Sequence, residues 1–195
     1  MVTFNKVNRL IIKILWLMKV KILFVPLVFL LFVFNARSQE EEGGGRFQRL
    51  GISLSHANIS SGLKDSENKW ISLPAWGIDY DYWFNEKWGL GMHVDIIVEK
   101  FTVEENLGND SALERSFPIA PAIMGLHKFG RHHTLMLGVG AEFAKEENLF
   151  LNRLGYEYGL EVSEKWEVGF SLNYDFRWNA YDSYIFGIGV SRVFR

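Results

Sequence analysis

The chain of 195 residues contains no cysteine. It can therefore hold no disulfide framework, thiolate metal site, cysteine nucleophile or lipid-modified cysteine. Acidic residues are missing from the first 38 positions, which hold six of the 21 Lys/Arg. The rest of the chain is left with 15 basic against 23 acidic residues, a net charge of −8. A net-acidic body excludes nucleic acid as a partner, because phosphate binding needs clustered Lys and Arg. Sustained helical periodicity is also lacking after residue 38, and histidine does not occur beyond His133. A charged fraction of 23% and a mean hydropathy of +0.01 exclude disorder for most of the chain.

Residues 1–38 read as a cleaved export signal. Lys13, Lys19 and Lys21 precede an apolar run from Ile22 to Phe34, and Ala36 and Ser38 place small residues at −3 and −1 of a cut before Gln39. Met18 offers a second start with the same layout. The apolar run of 13 residues is shorter than the ~20 a spanning helix needs. Residues 39–46 form an acidic, glycine-rich stub expected in the periplasm, and 47–195 form the folded domain.

That domain alternates with period two, the signal of strands. Trp166, Val168, Phe170, Leu172, Tyr174, Phe176 and Trp178 share one face, while Glu167, Gly169, Ser171, Asn173, Asp175 and Arg177 share the other. The pattern predicts eight strands, at 47–57, 70–84, 88–101, 116–129, 133–144, 150–162, 166–178 and 184–194. The faces of 116–129 are similarly apolar, and Pro118 and Pro121 interrupt it. Links at 85–87, 130–132 and 163–165 are tight, whereas those at 58–69 and 102–115 are long and polar. Asn85-Glu86-Lys87-Trp88 and Ser163-Glu164-Lys165-Trp166 repeat one turn, each delivering a Trp to the same rim. Alternating short and long links predict an all-β, eight-stranded antiparallel up-and-down transmembrane barrel with both termini periplasmic.

A soluble barrel would turn its aromatic face inward, but an eight-stranded tube is too narrow for that volume. The aromatics are therefore expected to face lipid, with Phe84, Trp88 and Trp166 in a girdle at the short-turn rim and Trp178, Tyr181 and Tyr184 at the other. Glycines and charges fill the opposite, lumenal face. With its closing strand Tyr184, Phe186, Ile188, Val190 and Phe194 on one face, the chain resembles small bacterial outer-membrane barrels of the OmpA transmembrane-domain and OmpX type. It departs from their pattern at Arg192, on the lipid face, and at the final Arg195. The resemblance implies a Gram-negative outer-membrane location, membrane lipid and lipopolysaccharide as surroundings, and the barrel-assembly machinery as a partner in biogenesis. The expected state is a monomer.

Hairpin symmetry places lumenal residues opposite one another. The turn centred on Glu86 sets Asp79 against His93, with Asp95 one step along; the turn centred on Glu164 sets Arg153 against Asp175 and Glu161 against Glu167. Asp79, His93, Asp95, Arg153, Glu157, Asp175 and Arg177 are read as a structural polar network, because charges in a filled lumen must be paired. Glu161 and Glu167 are expected to be solvated at the rim. Asp79 with His93 could also be half of a hydrolytic triad or a metal site, with Ser53 and Ser55 on the same face. No serine nucleophile can be assigned, however, and the His-x-Ser of lipid A deacylases is missing, since His127, His132 and His133 are followed two residues on by Phe129, Thr134 and Leu135. No catalytic residue, cofactor or metal site is assigned. The reading is a non-enzymatic barrel with an envelope-stabilising, adhesion or binding role. The alternatives are a lipid-modifying enzyme of the deacylase or acyltransferase type, and a soluble periplasmic ligand-binding barrel.

Overall fold

The computed structural model describes residues 45–64, 67–104, 112–178 and 180–195. The expected leader, and the stub up to residue 44, lie outside these. Eight long strands close on one another: β1 (Phe47–Lys64), β2 (Glu67–Trp83), β3 (Trp88–Ile97), β6 (Ile119–Phe129), β7 (His133–Glu142), β8 (Leu149–Ser163), β9 (Trp166–Arg177) and β10 (Asp182–Phe194). Two short strands, β4 (Lys100–Glu104) and β5 (Ala112–Ser116), form a hairpin between β3 and β6. Every pairing is antiparallel, and β10 pairs with β1 to shut the barrel.

The register fixes the shape. Stepping across paired residues from Arg49 leads through Asp81, Gly91, Met124, Gly138, Arg153, Asp175 and Ser183 to Ile59. One circuit thus returns ten residues further along β1 (59 − 49). With strands ~4.8 Å apart and ~3.3 Å of rise per residue, that stagger tilts the strands by about 40° and gives a backbone radius of about 8 Å. Residues paired across strands point to the same side, and this circuit stays inside the barrel throughout. Its side chains are the lumen.

The outside is apolar. Ile52, Leu54, Met92, Ile123, Leu137, Phe150, Leu172, Phe186 and Ile188 are each more than 40% exposed, around the whole circumference. A ten-residue strand at this tilt spans about 25 Å, the height of a membrane barrel's apolar band. Of the expected girdle, Phe84, Trp88 and Trp166 face outward at one rim and Trp178 and Tyr184 at the other. Tyr181 does not. It is fully buried inside the mouth, because it sits in the 178–181 connection that turns back over the lumen and its hydroxyl meets Glu142.

Three expectations about the strands change. The described residues of the stretch 58–69 are strand, not loop, since β1 and β2 pair out to Lys64 and Glu67. Polar side chains such as Asn58 and Ser60 are tolerated there because the alternation continues, with Ala57 and Ile59 buried on the inner side. In the stretch 102–115 the described residues 102–104 and 112–115 belong to the β4–β5 hairpin, where Phe101 and Val103 are buried and Thr102 is half-buried; 105–111 lie outside the described residues. Strand 116–129 begins only at Ile119, after Phe117 adopts a positive φ of 49° and Pro118 supplies no N–H. Along it Ala120, Ala122, Met124 and Leu126 turn inward and Ile119, Ile123 and Phe129 outward. Pro121 is accommodated by a gap in the β6–β7 ladder, which stops at Ala122–Gly140 and resumes at Ile119–Phe143.

Apolar side chains fill much of the lumen. One apolar cluster (Trp83, Ala120, Ala122, Met124, Leu126, Met136, Leu151) fills the side under β6 to β8. A second cluster closes the long-connection end, where Phe101 and Val103 of β4 pack with Ile59, Leu149, Tyr181 and Ile185. Many of the glycines make room for this filling. A Cβ at Gly89 would lie 3.0 Å from the Trp83 ring, and one at Gly155 would lie 2.7 Å from Met136.

Candidate functional site

The polar half of the lumen is a ladder of ion pairs carried on alternate residues of β1, β2, β3, β7, β8 and β9. At the short-turn end, Arg49 on β1 donates from Nε to Asp81 Oδ2 at 2.9 Å and from Nη1 to Glu157 on β8. Its Nη1 also lies 3.5 Å from Glu167 on β9. Asp81 in turn holds His93 Nε2 at 2.8 Å, and Asp79 lies 3.5 Å from His93 Nδ1.

Arg153 is the hub of the middle. Its Nε and Nη2 donate to the two oxygens of Asp175 at 2.6 and 2.7 Å, and its Nη1 lies 2.5 Å from Asp95. The fork of Arg matches a carboxylate in this two-pronged way, which a lysine cannot do. Toward the mouth, Arg177 reaches Asp175 at 3.4 Å and Glu142 at 2.5 Å. Glu142 also accepts from Arg115 Nε at 2.8 Å, and its oxygens lie 2.8 and 2.7 Å from the Tyr181 hydroxyl. Burial pushes the Tyr181 pKa well above its ordinary value, so the ring keeps its proton as a donor to Glu142. Arg115 belongs to the β4–β5 hairpin and also donates to the Glu147 carbonyl at 2.6 Å. It pins that hairpin across the mouth.

Each residue read from the sequence as part of the network lies inside the barrel, and the paired positions Asp79–His93, Arg153–Asp175 and Glu161–Glu167 are direct partners across strands. Two details differ. The closer partner of His93 is Asp81, not Asp79. Glu167 is not solvated with Glu161: it turns inward to Arg49 and is 8% exposed, while Glu161 stays in solvent beside a bulge. The sequence reading missed Arg49, Asp81, Glu142, Arg115 and Tyr181. Strand alternation carried a signal for the first three, which share a face with Gly51, Asp79 and Gly140. Arg115 and Tyr181 come from connections, where no periodicity applies.

Mutual charge pairing dominates the arrangement. Seven carboxylates face four guanidiniums and one imidazole among the described residues, and most of these side chains are at least nine-tenths buried. His93 is held by carboxylates at both ring nitrogens, so it is not free to serve Ser53 or Ser55 as a base. Among the described residues no three metal-ligating side chains converge on one point. His132 and His133 are spent at the short-turn rim, on the Gly159 carbonyl at 2.9 Å and the Tyr156 hydroxyl at 2.7 Å. Arg192, the departure on the lipid face, lies over the rings of Trp166 and Phe194 at 5.8 and 5.2 Å.

No protein-family profile matches the sequence, and no curated protein does. Solved structures do match. The chain is similar to Ail, the attachment invasion locus protein of Yersinia pestis, in its complex with the heparin analogue sucrose octasulfate: 13% identity, TM-score 0.51, 76% of this chain and 99% of that one. It is also similar to the outer membrane protein OprG from Pseudomonas aeruginosa, at 15% identity and TM-score 0.51 over 78% of this chain and 97% of that one. At such identities the likeness is one of backbone. The chain has the closed, eight-stranded antiparallel fold of the small bacterial outer-membrane β-barrels.

Proposed function

We propose that this protein is a non-enzymatic outer-membrane barrel that presents a rigid extracellular sheet for binding or adhesion. In this reading residues 1–38 are cleaved, the mature chain starts at Gln39, both termini face the periplasm, and the barrel is inserted by the assembly machinery as a monomer. The observation that carries it is the hairpin architecture above a sealed lumen. β1 and β2 are 18 and 17 residues long, against 10 for β3 and β7, so they continue well past the apolar band. There β4 pairs with β1 at Gly62–Val103, which joins both hairpins into one sheet. A conduit would not fill its bore with Arg–carboxylate pairs and close its mouth with Phe101 and Tyr181.

The surface chemistry limits the ligand. The β4–β5 hairpin and the outward connections carry Glu104, Glu105, Asp110, Glu114, Glu146 and Glu147, of which Glu105 and Asp110 lie outside the described residues. This acidity opposes a sulfated polyanion such as the heparin analogue held by Ail. The ligand class that fits is a basic or neutral surface. Two measurements test the reading. The protein should fractionate with the outer membrane, with a mature mass beginning at Gln39 and heat-dependent gel mobility, and reconstituted barrels should bind cationic peptide surfaces while giving no conductance in planar bilayers. Release into the soluble periplasm, or a steady open conductance, would overturn it.

A further inference from the structure

The charges of the lumen balance at one end and not at the other. Toward the mouth, Arg115, Arg153 and Arg177 face Glu142, Asp95 and Asp175, three against three. Toward the short-turn end, Arg49 and His93 face Asp79, Asp81, Glu157 and Glu167. Two carboxylates there lack a counter-charge among the described residues, even with the imidazole protonated. Carboxylates drawn out of water without a counter-charge are costly, so a surplus gathered on one side of a narrow bore calls for a cation.

The surplus borders a floor of small residues. Across four paired strands one row reads Asp79, Gly51, Ser191 and Glu167, with a carboxylate at each end. The next row inward reads Gly77, Ser53, Gly189, Gly169 and Gly159. Glu157 reaches over this row on β9, where a Cβ at Gly169 would lie 3.4 Å from its carboxyl carbon. Ser53, Gly169, Gly189 and Ser191 face the lumen yet are only half-buried, and the Asp79 side chain is 29% exposed. The floor opens toward the short-turn end, because one row further in Ser55 and Gly187 are buried and the apolar cluster around Tyr181 closes the bore. Ser55 stands in that inner row with Gly187, Ser171 and Glu157. It is 7% exposed, and its Oγ has no hydrogen-bond partner.

The anionic ends stand on β2 and on β8 and β9, so one small ion cannot serve both. Nor do three metal-ligating side chains converge among the described residues. A thin chain with a positive charge at each end meets both conditions. One ammonium would pair with Asp79 and the other with Glu157 and Glu167, by charge-assisted hydrogen bonds. The methylenes between them would lie on the glycines, and the Ser55 hydroxyl would accept from the inner side. We infer that the short-turn half of the lumen is a binding site for a linear aliphatic diamine in its doubly protonated form. The far end is closed, so the site holds the amine and does not conduct it. The site stands on the closed fold, and only entry from the periplasm rests on the outer-membrane reading above.

The test is isothermal titration of the full barrel, folded in detergent micelles, with 1,5-diaminopentane in about 0.15 M salt, where exposed charges are screened. One diamine should bind per barrel, and 1-aminopentane and magnesium chloride should each bind at least tenfold more weakly. Asp79→Asn and Glu167→Gln should each weaken the diamine at least tenfold, whereas Glu161→Gln, in solvent at the same rim, should not. Without amine, Asp79→Asn and Glu167→Gln should unfold at the parent's temperature or above it, since each removes a surplus charge; a purely structural carboxylate would lower it. Folding is read on the same samples by heat-dependent mobility, and either variant alone carries the test. No binding by the folded parent, equal binding of 1-aminopentane or magnesium, or undiminished binding in a folded Asp79→Asn or Glu167→Gln barrel would overturn the site. A lowered unfolding temperature in these variants would overturn the surplus on which it rests.

Discussion

Removing Arg153 should be the most damaging single change to the lumen. The side chain is fully buried and lies within 2.7 Å of three carboxylate oxygens, two on Asp175 and one on Asp95. Arg153→Met keeps the volume and deletes the charge, which leaves Asp95 without its guanidinium and Asp175 with only Arg177 at 3.4 Å. Breaking a buried pair by removing one partner costs about 3–5 kcal/mol, because the stranded charge cannot be rehydrated. Equilibrium unfolding in lipid vesicles, followed by tryptophan fluorescence, should show that loss. Arg153→Lys should fall between, since an ammonium cannot make the two-pronged contact. Adding Asp95→Asn and Asp175→Asn to Arg153→Met should recover most of the stability, because the neutral trio needs no counter-charge. An Arg153→Met barrel within about 1 kcal/mol of the parent, the range of exposed pairs, would refute the claim that the ladder is desolvated.

Other outcomes follow from the same geometry. Gly140→Ala should block assembly, since its Cβ would meet the Pro121 carbonyl and lie 2.8 Å from the Ala122 backbone, whereas Gly169→Ala meets Glu157 at 3.4 Å and should fold; heat-dependent mobility separates the two. Phe170→Arg places charge on the lipid face and should cost about 2–4 kcal/mol of folding stability near the midplane, while Phe170→Leu should be neutral within error. Tyr181→Phe removes a donor to the Glu142 carboxylate and should cost about 1.5–3 kcal/mol, and it should speed protease cleavage near the β4–β5 hairpin.

The barrel was legible because one physical rule, alternation, governs most of it. Where Trp166 to Arg177 alternates apolar with polar or glycine, the two faces could be separated, and hairpin symmetry then set Arg153 against Asp175. Where both faces are apolar, as from Ile119 to Phe129, periodicity was silent, and only the pairing with β3 and β7 shows that Ala120, Ala122, Met124 and Leu126 turn inward. Polar composition misled at 58–69, because above the membrane band water accepts a polar outer face on a strand as readily as on a loop. Tyr181 was read as a girdle residue by its place near a rim, but no ladder fixes a connection's facing, and the buried Glu142 draws its hydroxyl inward. Arg115 depends on a hairpin that returns over the mouth, a long-range contact with no local signature.

Sidedness is the most direct test. Because the chain has no cysteine, single substitutions Tyr158→Cys, Phe170→Cys and Ile188→Cys on the outer face, with Gly169→Cys and Ser171→Cys on the inner, can be labelled in bilayers by a lipid-soluble thiol reagent. Labelling at 158, 170 and 188, with 169 and 171 protected, is the predicted result. Labelling at 169 and 171 with the other three protected would mean that the aromatic face is the core, and that the protein is a soluble barrel instead.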